Sequence, residues 1–455
     1  MPKHSALLHI ERIFMKSILL RIATIGMVLM LSVILFACQP TPEVNGVSTE
    51  AAGAIILDDN ILVEVDDLPD SVNSDVMQLG HLKLSINASV NHPNIGKCYT
   101  GEVTKRSFSE DEIAAYISFF TGEENPTVYS EYYQSKDYWL NKITEAKDKD
   151  IDNQVYLEYL ENQYDSSSEN AITEELNYSD IPEEIIFDGY IERTDSTISV
   201  CSFSRNYNYF SYKRDMMQDF IPKSIVNEED SISPESPDIS VEEAEAEAEQ
   251  AINTLGTDLV LLSSEPCAIA TGLGLESTGW SLIYTRNMRG LKKLFDWHGV
   301  YLNPDSMPSK AAPWEQELVN IVIDDKGIAY VVYQGAGTLL LESVKSVKLA
   351  DFNSIEDRVL NQFKYIYGTH TNGSGNGLDI KVISFDLGTD MISIEDQPDK
   401  GLYIPTWTVT YSYKWQDSDE EFFGSLVFDA RNGEYIEPRV TNRDLMENMY
   451  GNPNE

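Results

Sequence analysis

The order of elements in the C-terminal half most constrains how this chain folds. A helical pattern, a glycine stop, an alternating strand with Trp-x-x-x-Tyr and a hairpin turn occur twice in the same order. The first helix begins at Ser240, with Glu243 at the reciprocal capping-box position. The two Trp strands cover Trp280–Tyr284 and Trp407–Tyr411. This order predicts two related units, each a helix laid across an antiparallel sheet.

The second unit repeats the signals of the first. Its helix stops at Gly368 and has one apolar face, formed by Ile355, Val359, Phe363 and Ile366. Charged turns that contain glycine occur at 322–328 in the first unit and at 427–434 in the second. Such turns between alternating strands are a strong hairpin signal. The sequence therefore predicts an α+β fold, with antiparallel sheets each covered by a helix.

The upstream half divides by composition and by local signals. Leu82–Ala88 alternates as a strand, Ser109 begins a helix, and two prolines interrupt a polar stretch at 227–239. We predict seven segments: a signal peptide 1–37, an acidic tether 38–80, an N-terminal α+β domain 81–226, a linker 227–239, a first helix-on-sheet unit 240–350, a second unit 351–440 and a polar tail 441–455.

The N-terminus has the anatomy of an export signal. Lys16 and Arg21 supply a small positive region, residues 18–36 are almost wholly apolar, and the run ends at Leu35-Phe36-Ala37-Cys38. These four residues resemble a bacterial lipobox, although a small residue is usual where Phe36 stands. The resemblance implies that Cys38 is the lipid attachment point. The alternative is an uncleaved transmembrane anchor, because about 20 apolar residues span a bilayer. Both interpretations place the rest of the chain on the extracytoplasmic face of the cell membrane.

The charge of the chain restricts its partners. The formal net charge is −42, from 75 acidic and 33 basic residues. A field of this sign repels nucleic acid and anionic lipid, so neither is expected as a ligand. Cationic partners would be attracted, and surface solubility is the simpler explanation of the charge.

Three cysteines remain once Cys38 carries lipid. Cys98, Cys201 and Cys267 are far apart, and no CxxC motif occurs. We therefore expect three buried thiols rather than a disulfide framework, with a single pair as the alternative.

The search for catalytic or metal-binding motifs gives no constellation. His81 and His92 are not spaced as zinc ligands, and His298 lacks a nearby partner in the sequence. The paired acids do not match a calcium loop, and no phosphate-binding or dinucleotide fingerprint occurs. The glycine-rich loop 368–377 is read as a flexible connection, with a ligand-contacting loop as the alternative. We predict no enzyme activity, no metal and no cofactor.

The tyrosines are the remaining clue. Among 25 tyrosines, clusters occur at Tyr129–Tyr138, Tyr156–Tyr164 and Tyr207–Tyr212. Exposed aromatic clusters favour protein or glycan binding. The alternative is that amphipathic tyrosines border the cores of sheets.

A family resemblance adds to this prediction. The stretch Gly401-Leu402-Tyr403-Ile404-Pro405-Thr406-Trp407 and the hairpin Phe428-Asp429-Ala430-Arg431-Asn432-Gly433 are similar to PepSY-type and YycI-like extracytoplasmic domains. With Cys38-Gln39-Pro40-Thr41-Pro42 and Phe108-Ser109-Glu110-Asp111-Glu112, the chain resembles an uncharacterised family of Gram-positive lipoproteins. The resemblance implies tethered, non-catalytic modules, and it assigns no functional residue.

The sequence thus predicts a membrane-anchored lipoprotein that binds or regulates another envelope or membrane protein. Two alternatives remain. One is a hydrolase of envelope polymers that uses paired carboxylates, since two well-placed acids need no motif. The other is a solute-binding lipoprotein.

Overall fold

The computed structural model describes residues 62–148, 154–177, 181, 186–193, 197–204, 208–222, 237, 239–271, 274–294, 312–394 and 396–436. The helices in these ranges are α1 (Glu110–Thr121), α2 (Lys136–Asp148), α3 (Gln154–Ser166), α4 (Val241–Thr254) and α5 (Phe352–Tyr367). Within this part of the chain, no helix combines the length and apolarity that crossing a membrane requires.

Strands make up the larger part of the structure. They are β1 (Leu62–Val63), β2 (Ser71–Leu79), β3 (Leu82–Asn91), β4 (Cys98–Lys105), β5 (Tyr129–Tyr133), β6 (Ile172–Glu175), β7 (Phe187–Glu192), β8 (Ile198–Ser204), β9 (Tyr209–Lys213), β10 (Asp219–Pro222), β11 (Val260–Thr271), β12 (Gly274–Thr285), β13 (Asn287–Met288), β14 (Leu291–Lys292), β15 (Leu318–Asp324), β16 (Gly327–Gln334), β17 (Gly337–Leu339), β18 (Lys345–Val347), β19 (Leu349–Ala350), β20 (Leu378–Ile394), β21 (Gln397–Trp415), β22 (Phe422–Asp429) and β23 (Tyr435–Ile436).

Two large sheets organise these strands. The first sheet has ten strands in the order β10-β11-β12-β15-β16-β9-β8-β7-β5-β6. The second has nine strands, and its main path runs β17-β4-β21-β20-β3-β2, with β22 beside β21, β23 beside β22 and β18 beside β4. Neighbouring strands pair antiparallel in both sheets, except that β20 pairs with β3 in parallel. The long β20–β21 hairpin forms the centre of the second sheet.

The first sheet is an insertion into the second. Strand β4 ends at Lys105 and β17 begins at Gly337, and these two residues are partners in the antiparallel register. The next residues inward are joined as well, because the Arg106 backbone N–H donates to the Ala336 carbonyl at 3.0 Å. The chain therefore leaves the second sheet, forms the whole first sheet and returns to the point it left.

Helices cover one face of each sheet. In the first sheet, α1 and α4 pack over β8, β9, β12, β15 and β16. In the second sheet, Ile355, Val359 and Phe363 of α5 enter the core. The Phe363 ring lies 4.9 Å from the ring of Tyr411 on β21, in an edge-on contact. Apolar residues spaced along one helix face thus meet the inward residues of alternating strands.

Buried charges join the two sheets. The Arg286 Nε donates to Glu317 Oε2 at 2.8 Å, and Glu317 Oε1 accepts from the Tyr333 hydroxyl at 3.0 Å. The Gly337 backbone N–H, where the second sheet begins again, donates to the same Oε1 at 3.2 Å. Burial alone would lower the pKa of Arg286, but the Glu317 carboxylate raises it. Burial raises the pKa of Glu317, and Arg286 opposes that rise. The bonds of this buried pair fix the junction.

Local sequence signals are confirmed where helices and hairpins begin and end. Ser109 and Glu112 form a capping box at the start of α1, and Ser240 and Glu243 form another at the start of α4. Helix α1 ends at Gly122 in the left-handed conformation. The predicted hairpin turns are the β15–β16 and β22–β23 connections.

The predicted α+β architecture of helix-on-sheet units is wrong. The described chain is 48% strand and 23% helix, and its strands belong to large sheets rather than to two small related units. A small sheet ending at β16 would leave that strand with an open edge. Instead β16 pairs with β9, as Tyr333 lies opposite Phe210. Open edges favour further pairing, and local periodicity does not reveal their distant partner.

Strand pairing connects residues on both sides of the predicted boundaries. Strand β9 lies in the predicted 81–226 domain and its partner β16 in the 240–350 unit. Strands β3 and β20 join the 81–226 domain to the 351–440 unit. The edge strand β2 lies within the predicted 38–80 tether. Segments 1–37 and 441–455 and most of the 227–239 linker lie outside the described residues.

Candidate functional site: a helical hairpin at the edge of the first sheet

Two of the predicted tyrosine clusters come together in one projection of the first sheet. The chain leaves this sheet after β5, forms α2 and α3, and returns as β6. Tyr133, at the end of β5, lies directly opposite Ile172, at the start of β6. We call residues 129–175 the hairpin module. The third cluster, at Tyr207–Tyr212, belongs to β9 and the core of the first sheet, and its Tyr207 lies outside the described residues.

The hairpin module has its own small core. Trp139, Ile143 and Ala146 of α2 are buried against Leu160 of α3. These positions follow helical spacing, so each helix presents one apolar stripe to the other. The Trp139 ring lies 6.2 Å from the ring of Tyr159 in an edge-on arrangement. The two helices therefore pack mainly against each other.

Polar contacts attach the module to the first sheet. Lys142 of α2 lies 3.8 Å from the carboxylate of Asp215, in the turn after β9. Gln134 Nε2 donates to the sulfur of Met216 at 3.0 Å. Tyr138 is largely buried beside this turn, and burial raises the pKa of its hydroxyl, with a further contribution from Asp215. Tyr138 is therefore protonated at neutral pH, and its ring packs on Trp139 within the module.

Exposed apolar side chains concentrate in the module. Eleven large apolar residues of the described chain are classed as exposed, and five of them lie between residues 129 and 175. The five are Tyr133 (58% exposed), Leu140 (47%), Val155 (47%), Tyr159 (42%) and Ile172 (55%). Val155 and Tyr159 are four residues apart on α3, so they are neighbours on the helix surface. Single exposed apolar residues are ordinary, but concentrated ones mark interaction surfaces.

The module is also strongly acidic. Between Tyr129 and Glu175 the sequence has twelve acidic and four basic residues. Three of the lysines have acidic neighbours: Lys136 with Glu169 at 3.3 Å, Lys142 with Glu145 at 3.5 Å, and Lys147 with Glu161 at 3.9 Å. The segment that carries the exposed apolar residues thus has a surplus of negative charge.

The sequence did not single out Leu140, Val155 or Ile172. An apolar residue on a helix or strand reads as core by default, and its exposure depends on tertiary packing. The only available signal was position, because Leu140 and Val155 fall beside the buried stripes of α2 and α3 rather than within them.

The residues considered for chemistry are not brought together. Cys38, His298 and the pair Asp58-Asp59 lie outside the described residues. Within the described ranges, no group of three His, Cys, Asp or Glu side chains is placed to hold a metal ion. His81 is exposed and His92 is half-buried.

The three remaining thiols are free and buried, as predicted. Burial raises the pKa of Cys98, Cys201 and Cys267 to about 12, with smaller effects from neighbouring groups. A thiol with such a pKa is protonated at neutral pH and is a poor nucleophile. These cysteines serve packing.

The glycine-rich loop is closed by its own side chains. Asn372 Oδ1 accepts from the backbone N–H groups of Ser374 and Asn376 at 3.0 Å. Both asparagines donate to the carboxylate of Asp417, at 2.8 and 2.9 Å. At Gly377 an added Cβ would lie 1.7 Å from the His81 carbonyl oxygen. The loop is thus a hydrogen-bonded connection between α5 and β20 that is closely packed at Gly377 and open at Gly373 and Gly375.

Comparisons with known proteins give little beyond this geometry. No protein-family model and no curated protein matches the chain. Among solved structures, the chain is similar to an uncharacterised protein from Eubacterium rectale, with 13% sequence identity and a TM-score of 0.41. The match covers 83% of this chain and 96% of that one.

Proposed function

We propose that the protein is a non-catalytic binding protein of the bacterial cell envelope. A lipid on Cys38 holds it to the extracytoplasmic face of the membrane, and the hairpin module binds another envelope protein. The resemblance to tethered Gram-positive lipoproteins suggests the same kind of role.

The concentration of exposed apolar side chains on one projecting module supports this proposal. Tyr133 and Ile172 form one exposed pair across the strands, and Val155 and Tyr159 form another along α3. Burying such side chains against a partner contributes roughly 25 cal/mol for each Å² of apolar surface removed from water. Aromatic residues are enriched at the centres of protein interfaces.

The negative charge of the module indicates what kind of surface its partner has. Acidic residues outnumber basic ones twelve to four in this segment, so a complementary surface has both apolar residues and lysine or arginine. Such charges speed the encounter and select the partner, and salt weakens them. The partner we infer is therefore a protein with a basic, partly apolar surface.

Site-specific photo-crosslinking in the native cell tests this proposal. A photoreactive amino acid replaces Tyr159 in the module or, as a matched control, Tyr365 on α5. The two tyrosines are 42% and 46% exposed. We expect a defined adduct with one envelope protein from position 159 and none from position 365.

Binding measurements with purified proteins then test which side chains and charges the contact depends on. The crosslinked protein should bind the full-length chain directly, and Tyr133→Ser with Tyr159→Ser should weaken that binding by about tenfold or more. Raising the salt concentration should weaken it further. Equal adducts from both positions, or a partner whose contact surface is acidic, would refute the proposed role of the module.

A second experiment tests the anchor. Cys38→Ala should abolish the incorporation of labelled palmitate and release the protein from the membrane fraction. A variant that stays membrane-bound without palmitate would show that the apolar segment 18–36 is the anchor instead. The crosslinking experiment tests the hairpin module and does not depend on how the protein is anchored.

A further inference from the structure

A second surface lies far from the hairpin module, on the face of the second sheet opposite α5. Residues directly opposed in the register share a face of a sheet. Leu84 and Ile380 are opposed and belong to the core beneath α5. The flanking residues Lys83 and Lys381 therefore point away from α5 to the outer face.

Two rows of side chains cross this outer face. In the first row, Asp379 of β20 lies between Lys83 of β3 and Lys414 of β21. In the second row, Lys381 of β20 lies between Ser85 of β3 and Ser412 of β21. These six residues line a groove of about 230 Å³, which we call the lysine groove.

The lysine groove is more basic than the chain as a whole. The protein has a formal net charge of −42, yet three lysines line this groove against two acids, Asp379 and Glu421. Lys83 Nζ lies 4.0 Å from Asp379 Oδ2, a long contact that leaves most of its capacity for other partners. Lys381 is exposed, and Lys414 is half-buried. The groove thus presents ammonium groups to an anion.

Asp379 also offers an acceptor. Its Oδ1 atom is buried and accepts no hydrogen bond within the described structure. Buried polar atoms of this kind are normally satisfied by protein, water or ligand donors. Ser412, in the second row, also lines the groove and is only 2% exposed.

An exposed aromatic ring borders the groove. Phe423 of β22 lies directly opposite Ser412, so it shares the outer face with Lys381. It is 56% exposed, whereas the adjacent Phe422 turns to the other face and stacks on Tyr413. Phe423 therefore gives a flat apolar surface beside the charged and hydroxylated groups.

We propose that the lysine groove binds an anionic saccharide, a sugar that bears a carboxylate or phosphate group. Its hydroxyls donate to Asp379 Oδ1, its charged substituent pairs with Lys381 and Lys414, and its ring carbons lie on Phe423. An inorganic anion has no apolar face to pack on Phe423, and a neutral sugar has no charge to pair with the lysines. This binding is independent of the hairpin module.

Saturation-transfer NMR on the full-length chain in detergent tests the proposal. The probes are glucuronic acid and glucose 6-phosphate, with glucose and inorganic phosphate as controls. Phosphate has no C–H protons, so its binding is read from its competition with glucose 6-phosphate. We expect at least one of the two anionic sugars to bind at millimolar concentration, and each control to bind about tenfold more weakly or not at all. The anionic sugar that binds more tightly shows whether the groove prefers a carboxylate or a phosphate group.

Matched lysine variants locate the binding. Lys381→Ala should weaken binding by about fivefold, because an exposed ion pair contributes up to about 1 kcal/mol. Phe423→Ala should weaken binding by a similar factor, because the sugar ring loses its apolar contact. Lys345→Ala, an exposed lysine on β18, should change nothing. Circular dichroism confirms that each variant is folded. Failure of both anionic sugars to bind, phosphate binding as tightly as glucose 6-phosphate, or equal losses in Lys381→Ala and Lys345→Ala would overturn the proposal.

Discussion

Helix α5 and the hairpin module bury similar side chains against different partners. Five residues of α5 are buried, and they enter the large core of the second sheet. The buried residues of the module, led by Trp139 and Leu160, form a cluster made of module residues. A helix that shares the main core unfolds with it, whereas a self-contained pair can open alone. The comparison separates the part that holds the fold from the part we assign to binding.

The largest effect is expected at the centre of α5. Phe363→Ala removes a fully buried ring that contacts Tyr411, and it should lower the free energy of unfolding by about 3–5 kcal/mol. Urea denaturation followed by tryptophan fluorescence measures the change. Tyr365→Ala, two residues away and exposed, is the control and should stay within about 0.5 kcal/mol of wild type. Equal losses in the two variants would contradict the assignment of α5 to the core.

The corresponding change in the module should act locally. Trp139→Ala removes the largest side chain of its core and should lower the free energy of local opening by about 3 kcal/mol or more. Hydrogen exchange read by mass spectrometry should rise in 136–148 and 154–166 and stay unchanged in 352–367. If exchange in α5 rose by the same factor, the two regions would be one cooperative unit and the comparison would fail.

Acid should loosen the base of the module before it affects α5. Arg214, next to the Asp215 that contacts Lys142, donates to Asp324 at 2.6 and 2.8 Å. Burial alone would raise the pKa of Asp324, but Arg214 and Ser277 hold it below its usual value of 3.8. Its stabilising contribution is therefore complete above that value and is lost as the pH falls through the lower folded-state pKa.

Asp324→Asn tests this pH dependence. At neutral pH it should reduce the free energy of unfolding by about 1.5–3 kcal/mol, because the bond to a charged partner is lost. The difference from wild type should narrow as the pH falls below about 4. An Asp324→Asn curve that runs parallel to wild type down to acidic pH would exclude this group as the cause.

The smallest effects are expected at two helix caps. Asp351 accepts from the Ser354 N–H at 3.1 Å at the start of α5, and Ser135 accepts from the Tyr138 N–H at 3.3 Å at the start of α2. Each replacement by alanine should cost about 1 kcal/mol. We expect Asp351→Ala to lower global stability and Ser135→Ala to raise exchange only within the module. The same global shift from both caps would remove the distinction.

Features set by neighbouring residues were predictable from the sequence. The capping boxes at Ser109 and Ser240 and the stop at Gly122 depend on a few adjacent residues, and the sequence carries them in full. The buried face of α5 follows from helical periodicity. The architecture was not predictable in this way, because β3 meets β20 and β9 meets β16 across long stretches of chain. Alternation shows that a strand has two faces and does not name its neighbour.

The two candidate surfaces also differ in how far the sequence predicted them. The tyrosine clusters of the module pointed to a surface because their members are close in the sequence. Lys83, Lys381 and Lys414 gave no signal, since each is one polar residue in an alternating strand. Only the register of β3, β20 and β21 collects them.

The insertion of the first sheet between β4 and β17 has a consequence for the order of folding. Lys83 pairs beside Asp379, so β3 leaves the ribosome long before its partner β20 is made. The first sheet, complete by Gln334, has all its strands while the second still lacks its central hairpin. We expect it to form first during synthesis and to hold β4 near the place where β17 emerges. Until then β2 and β3 expose unpaired edges, which are sites for unwanted strand pairing in the emerging chain.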